Sequence, residues 1–354
     1  MKKLKYILVL LVALLPLGQA MAETEKEAEA AFNPQKIIFE HLGDEYGWKI
    51  WNLEIPLPVI VSGLDGKWHL FSSSRLQDGA TYEGFRIAEG GDCSGKVVET
   101  DAQGNEYRPW DLSITKNVLA IIICGLMMFW AIFPLVRFYK RKPYGAPRKV
   151  PGMMEVVVDM LYRELIVGIL GKDARRFAPY LLTLFFFILF SNLLGLIVIF
   201  PGGANVMGNM SITLVLALCT FVVINVSGTK EYWKEIFWPD VPMGLKCPVP
   251  LLPVIEIFGV FTKPVALMIR LFANMLGGHL IVLVLISLIF LFSVMGQVVL
   301  GVTAVFSVLF AVFMNLIHVL IGFIQAYVFM LLSTIFIGLA RVRKLKAKNL
   351  NLKV

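Results

Sequence analysis

The stretch LLPVIEIFGVFTKPVALMIRLFANMLGGHLIVLVLISLIFLF, residues 251–292, decides the fold. It is an apolar run of 42 residues punctuated by isolated polar side chains, among them Glu256, Lys263, Arg270, Asn274 and His279. As one helix it extends ~60 Å at ~1.5 Å per residue, about twice the ~30 Å hydrocarbon core of a bilayer. A second long run, 298–340, carries Asn315, His318 and Gln325. Splitting only this later run would leave the basic tail from Arg341 to Lys353 on the outer side, against the positive-inside rule, and no Pro or polar loop marks a break. Two long, strongly tilted helices satisfy both constraints.

Working outward, three earlier runs are of single-span length, and the predicted spans lie at about 116–138, 178–200, 210–228, 251–292 and 298–340. Arg137, Lys140, Arg141, Lys142, Arg148 and Lys149 follow the first, Lys172, Arg175 and Arg176 precede the second, and Lys230 and Lys234 follow the third. The connection from Pro201 to Met210 has no Lys or Arg. These charges predict an outer amino terminus and a cytoplasmic carboxyl terminus. Residues 151–170 differ: Met154, Val157, Val158, Leu161, Leu165 and Ile169 recur at helical spacing against Glu155, Asp159, Arg163 and Glu164. That pattern predicts an amphipathic helix, on the cytoplasmic surface or packed across the bundle. The fold class is an all-α polytopic membrane protein of five spans and one amphipathic helix, with a small β-rich extension.

Composition agrees. Of 354 residues 58% are hydrophobic and 16% charged, which excludes an ordinary soluble domain of roughly 45–50% apolar and about 25% charged residues. The net charge of +8 is the sum of +3 in residues 1–22, −9 in 23–115 (8 bases, 17 acids) and +14 in 116–354 (22 bases, 8 acids). Lys2, Lys3 and Lys5, the apolar run Tyr6 to Leu17 and the small site Ala20-Met21-Ala22 read as a signal peptide, 1–22, with an uncleaved anchor as the alternative. The acidic segment 23–115 has partly alternating stretches at Trp48 to Leu53, Val59 to Ser62 and Trp68 to Ser72, separated by glycines, and is read as a β-rich extracytoplasmic extension that folds alone or lies against the membrane part. Cys93, Cys124, Cys219 and Cys247 show neither a disulfide framework nor metal-ligand spacing, and no cofactor is expected. The basic tail is explained by topology, so nucleic acid is not expected as a partner.

Ionisable side chains inside apolar spans are costly, about 2.5–3.5 kcal/mol for a central Arg or Lys, so each needs a reason. Here they are Glu256, Lys263, Arg270, His279 and His318. Glu256, Lys263 and Arg270 are seven and seven apart, drifting only about 20° per step, and share a helix stripe with Asn274 close by. His279, nine residues after Arg270, faces another way, and His318 and Gln325, seven apart, share a face. An Arg that stays charged to above about pH 12, beside groups that exchange protons near neutrality, suits a membrane proton path. The bland readings are an interface pair of Lys263 with Glu256, satisfied bundle histidines, hydrogen-bond glue for Asn274, Asn315 and Gln325, and close packing for Gly277 and Gly278.

At these residues the chain resembles subunit a of the F-type ATP synthase. Lys263-Pro264, the run Ile269-Arg270-Leu271-Phe272-Ala273-Asn274-Met275, Ser191-Asn192-Leu193-Leu194-Gly195-Leu196 and Gln325-Ala326-Tyr327-Val328-Phe329 are similar to that family's motifs, over roughly Thr115 to Ala340. The long acidic extension resembles the form found in Bacteroidetes. The resemblance implies a non-catalytic, proton-translocating stator of the bacterial inner membrane, partnered by the c-subunit ring, the b-subunit peripheral stalk, the other synthase subunits and the bilayer, with a periplasmic amino terminus. It implies that Arg270 faces the c-ring carboxylates as a barrier between two offset half-channels. Asn192, His279, His318 and Gln325 then line the outer half-channel, Asn274 lies near the junction, and Glu256 lies on the cytoplasmic side. Read from the residues alone, Lys263 and Asn315 are expected as interface or structural residues. The family commonly pairs an acid with a His where this chain has His279 and His318. Two close imidazoles are not both charged at rest, which leaves the source of a carboxylate open.

The rivals are a stand-alone proton-coupled secondary transporter, which usually shows repeated halves that this chain lacks, and a membrane enzyme using His279 and His318 as metal ligands, for which no carboxylate or Cys sits at ligand spacing.

Overall fold

The computed structural model describes residues 44–50, 53–88, 93, 95–100, 106–196, 205–237, 251–292 and 297–341. The signal-like segment, Gly90-Gly91, the first part of the Pro201 loop, Cys247 and the tail beyond Arg341 lie outside the described residues.

The extension is built from short antiparallel strands. β1 (Gly47–Ile50) pairs with β2 (Leu53–Pro56). The sequence reading of Trp48 to Leu53 as one stretch is therefore corrected, because the chain reverses within it to make a hairpin. β3 (Pro58–Ser62) lies between β4 (Trp68–Ser72) and β8 (Trp110–Asp111). β5 (Phe85–Ile87), β6 (Val97–Thr100) and β7 (Glu106–Tyr107) form a second three-stranded sheet. Alternation sets the faces: Val59, Val61 and Phe71 turn inward onto Tyr46, Leu76, Phe85 and Val97, a small core of their own. Gly66, at φ +70°, closes the β3–β4 turn in the left-handed region that a glycine occupies without steric cost.

The extension is joined to the membrane part by more than the chain. The first three amide donors of α1 (Lys116–Arg141) would be orphans, but Lys116 N donates to Glu45 O at 2.9 Å, Asn117 N to Asp44 Oδ1 at 3.2 Å, and Val118 N to the Thr115 hydroxyl at 3.5 Å. Trp48, 2% exposed, is part of the main apolar core of the helical bundle, and Ile55 packs against it. Of the two arrangements open to the sequence, the extension lies against the membrane part while keeping its own small core.

α2 (Val150–Met160) runs on through a π-helical stretch, Leu161–Val167. Along the wider turn Leu161, Leu165 and Ile166 enter the core while Ile169, expected on the same stripe, is exposed, so this element packs across the bundle with its inward face shifted. Tyr139 at the end of α1 donates to Glu155 on α2. α3 (Ala174–Leu196) is apolar on every side and correspondingly central, with Phe185, Phe186 and Ile188 fully enclosed. α4 (Met210–Ser227) meets it through Tyr180 and Thr220, whose hydroxyls are 3.0 Å apart, and the short α5 (Lys230–Phe237) follows.

The two long runs are single helices, α6 (Leu251–Phe292, 42 residues) and α7 (Gln297–Arg341, 45 residues). Among the described residues, five helices have the length and composition to cross a membrane. The end of α7 is held by specific contacts. Arg341 makes a two-pronged bond to Asp173, both branches 3.0 Å, and Thr229 N donates to Ala340 O at 3.0 Å. Arg341 is thus more than the topological charge its position in a basic tail suggests.

Candidate functional site

The polar set divides between two compact units: Asp44–Leu276 with Val319–Val354, and a second whose described part is 277–292 and 297–318.

In the larger unit, α6 carries Glu256, Lys263, Arg270 and Asn274. Glu256 is exposed; burial of the Tyr232 ring, and then the charge of Glu256, raises the pKa of Tyr232. Lys263 is half-buried with its Nζ 5.5 Å from the ring centroid of Phe336 on α7, a cation–π contact. It makes no ion pair with Glu256 among the described residues, so the bland reading of an interface pair does not hold there, and its neighbour is an aromatic ring on the next helix. The reason is geometric, since seven residues of rise separate the two groups by ~10 Å.

Arg270 lies within the apolar segment Ile255–Ile289, 15 residues from one end and 19 from the other (270 − 255 and 289 − 270), and its side chain is exposed on the surface of the chain. Among the described residues it has no hydrogen-bond or ion-pair partner. Its neighbours Leu267, Leu271 and Met275 are buried in the bundle core, so one face of α6 is anchored while the adjoining surface presents the guanidinium outward. Asn274 is half-buried on the same helix.

Also in the larger unit, α3 meets α7 at a small polar contact. Asn192, buried, donates from Nδ2 to Gly322 O at 3.1 Å. The approach depends on the glycine: a Cβ at Gly322 would be 3.2 Å from Asn192 Cβ. Three residues on, Gln325 is half-buried with its Oε1 buried and without a hydrogen-bond partner among the described residues. A buried amide oxygen left unpaired costs about 1–3 kcal/mol, a cost that a hydrogen bond from water relieves. Cys124 Sγ and Ser191 Oγ, 3.3 Å apart, add a further buried polar pair beside Asn192 in sequence.

In the smaller unit, His318 is buried with Nδ1 unpaired among the described residues, and its ring lies against the backbone of Gly278. A Cβ on Gly278 would be 2.6 Å from both Cδ2 and Nε2 of the ring, closer than any side chain permits. At Gly277, by contrast, a Cβ meets nothing within 4 Å. His279 and Asn315 are half-buried in the same unit.

Gly322, Phe336 and Asp173 were not singled out by sequence reasoning. Gly322 had a signal: it falls four residues after His318 and three before Gln325, on the same helical stripe. Phe336 and Asp173 had none, because a cation–π or ion-pair partner on another helix leaves no periodic trace.

Chemically, the arrangement offers one permanently charged group facing out at mid-span and several titratable or hydrogen-bonding groups buried elsewhere. Two family models match the chain: "ATP synthase A chain" over residues 118–338 and a domain of unknown function over residues 37–112. The chain is 37% identical over 240 residues to an ATP synthase subunit a of Chloroherpeton thalassium, covering 66% of this chain and 68% of that protein. It is 39% identical over 237 residues to an ATP synthase subunit a 2 of Chlorobaculum tepidum, covering 66% and 65%. It is also 39% identical over 238 residues to an ATP synthase subunit a of Myxococcus xanthus, covering 65% and 73%.

Proposed function

Because the chain belongs to the ATP synthase A chain family, matched over 118–338, we propose that it is the stator that carries protons past a rotating ring of c subunits, in a complex braced by the b-subunit stalk. The observation that carries this reading is Arg270, exposed at mid-span without a partner of its own among the described residues. A guanidinium cannot escape its cost by deprotonating, so at that depth it requires an anionic partner from another chain. A ring whose subunits each bring a carboxylate past the same point satisfies that requirement repeatedly.

The chemistry is proton exchange and electrostatics, with no covalent step. As a ring carboxylate approaches, the fixed positive charge favours its ionised form and lowers its pKa, so the proton leaves before the carboxylate passes. The same charge repels protons that would otherwise leak directly between the two sides. Asn192, Gln325, His318 and His279 supply the outer path: Gln325 Oε1 and His318 Nδ1, both buried, accept hydrogen bonds from entering water. Imidazole at both His279 and His318 gives this path two rings of a kind that can take up and hand on protons. Asn274 stands near the junction, and exposed Glu256 serves the cytoplasmic path. Lys263 and Asn315 are structural, Lys263 through Phe336. The amino terminus is periplasmic and the carboxyl terminus cytoplasmic in the bacterial inner membrane.

Proximity tests this. A cysteine at Ala273, exposed three residues from Arg270, should cross-link under oxidation to cysteines placed beside the ring carboxylate in the assembled complex. Failure at every such ring position, with assembly intact, would overturn the assignment.

A further inference from the structure

The outer face of the β4-β3-β8 sheet is apolar and, among the described residues, uncovered. Strand register puts Trp68 and Trp110 on either side of Ser62, and Leu70 opposite Ile60. Leu112 N donates to Ile60 O at 2.9 Å and Ile114 N to Pro58 O at 3.1 Å, so the pairing continues past β8 towards α1. Because side chains alternate, Trp110, Leu112 and Ile114 share this face while Asp111 and Ser113 turn inward, Asp111 to accept from the Tyr46 hydroxyl and Ser113 to accept from Ile60 N at 2.9 Å. Trp68 is 58% exposed, Leu70 72%, Trp110 83% and Leu112 66%. Scattered apolar residues need no explanation, but four on one sheet face, two of them Trp, do.

What covers the face follows from its continuity with the membrane surface. Leu112 is four residues before Lys116, the first residue of α1, hence within ~14 Å of the helix even if fully extended. The apolar row Trp110, Leu112, Ile114 leads into Val118, Ile122 and Leu126, which are exposed on α1. The backbone bonds from Lys116 and Asn117 and the buried Trp48 keep the module at this end of the bundle. Trp, apolar in body and polar at its N–H, favours the headgroup layer of a bilayer. Charge narrows the lipid. The rim of the face has Lys67 and Arg108, with Asp65 beside Lys67, all exposed, but the segment 23–115 has net charge 8 − 17 = −9, which disfavours an anionic surface.

We propose that the outer face of the β4-β3-β8 sheet is a membrane-docking surface, seated in the headgroup layer of zwitterionic lipid beside the first spanning helix. This rests on the chain being a membrane protein and is independent of the proton path. Docked, the module braces the outer end of α1 against tilting, a role for the domain whose function the family match leaves open.

Spin labels test it. In full-length protein within its complex, accessible native cysteines are replaced by alanine, nitroxides are attached through Leu70→Cys and Leu112→Cys, and the complex is reconstituted in phosphatidylcholine bilayers. Collision with oxygen relative to an aqueous nickel chelate should be several-fold higher at both sites than at Glu83→Cys on the β5 side. A ratio equal to that at Glu83 overturns docking, and exclusion of both reagents overturns it in favour of a protein partner or second copy. Without labels, dibrominated phosphatidylcholine should quench the Trp fluorescence of the native protein more than that of a Trp68→Phe, Trp110→Phe variant. Equal fractional quenching overturns the proposal.

Discussion

The backbone of Gly278 lies so close to the His318 imidazole that a methyl group on its Cα would be 2.6 Å from Cδ2 and Nε2 of the ring, whereas the same methyl at Gly277 would meet nothing. Adjacent glycines that look equivalent in sequence therefore differ in consequence. Gly278→Ala forces the ring to move at ~1–3 kcal/mol, the usual cost of overpacking. ATP-driven proton pumping by inverted vesicles should fall several-fold in Gly278→Ala and stay near normal in Gly277→Ala, with equal assembly. Equal effects of the two substitutions would mean that the His318 ring position is immaterial.

Asn192 and Gln325 separate hydrogen-bond glue from function. Asn192→Ala removes the bond to Gly322 O and should lower thermal stability by ~1 kcal/mol. Gln325→Leu removes an unpaired buried oxygen, so stability should hold or rise while passive proton flux through the membrane sector falls. A loss of stability in Gln325→Leu without loss of flux would mark Gln325 as structural.

Lys263 is predicted to act through Phe336. Phe336→Leu and Lys263→Met should each destabilise by ~0.5–2 kcal/mol, and the double variant by less than the sum, a coupling measurable by thermal unfolding of the detergent-solubilised protein. Strict additivity would exclude the contact as a source of stability.

The extension has an alkaline limit of its own. Burial and then the bond to Asp111 hold the Tyr46 hydroxyl well above its ordinary pKa of 10. A folded-state pKa above the unfolded one stabilises fully below pH 10 and is lost as pH rises through the folded value. Unfolding of the β-rich extension, followed by Trp fluorescence, should therefore begin above pH 10. Tyr46→Phe should be less stable at pH 7, because Val97 N and Asp111 lose a partner, and should lack the Tyr46 contribution to the alkaline limb.

The membrane part was largely legible in the sequence because lipid imposes a coarse rule. Runs such as Leu251 to Phe292 must be helical throughout to satisfy their backbone, and this one is. The extension was legible as β-rich but not in detail, since the Trp48 to Leu53 stretch conceals a reversal and Trp48 belongs to the bundle core. Residues 161–167 read as ordinary helix, because a π-stretch differs from an α-helix only in which neighbours it buries. Among the candidate residues, Arg270 stood out through its cost in lipid. Its outward exposure did not, because a stripe of Glu256, Lys263 and Arg270 has the same spacing whether it faces the bundle or another protein.

The central claim is that Arg270 supplies a fixed charge to a passing carboxylate, and the direct measurement is coupled proton transport in an intact complex bearing Arg270→Ala. The account predicts complete loss of ATP-driven pumping and of proton-driven ATP synthesis, with the subunit still assembled at normal abundance. Normal coupling in that complex would contradict it.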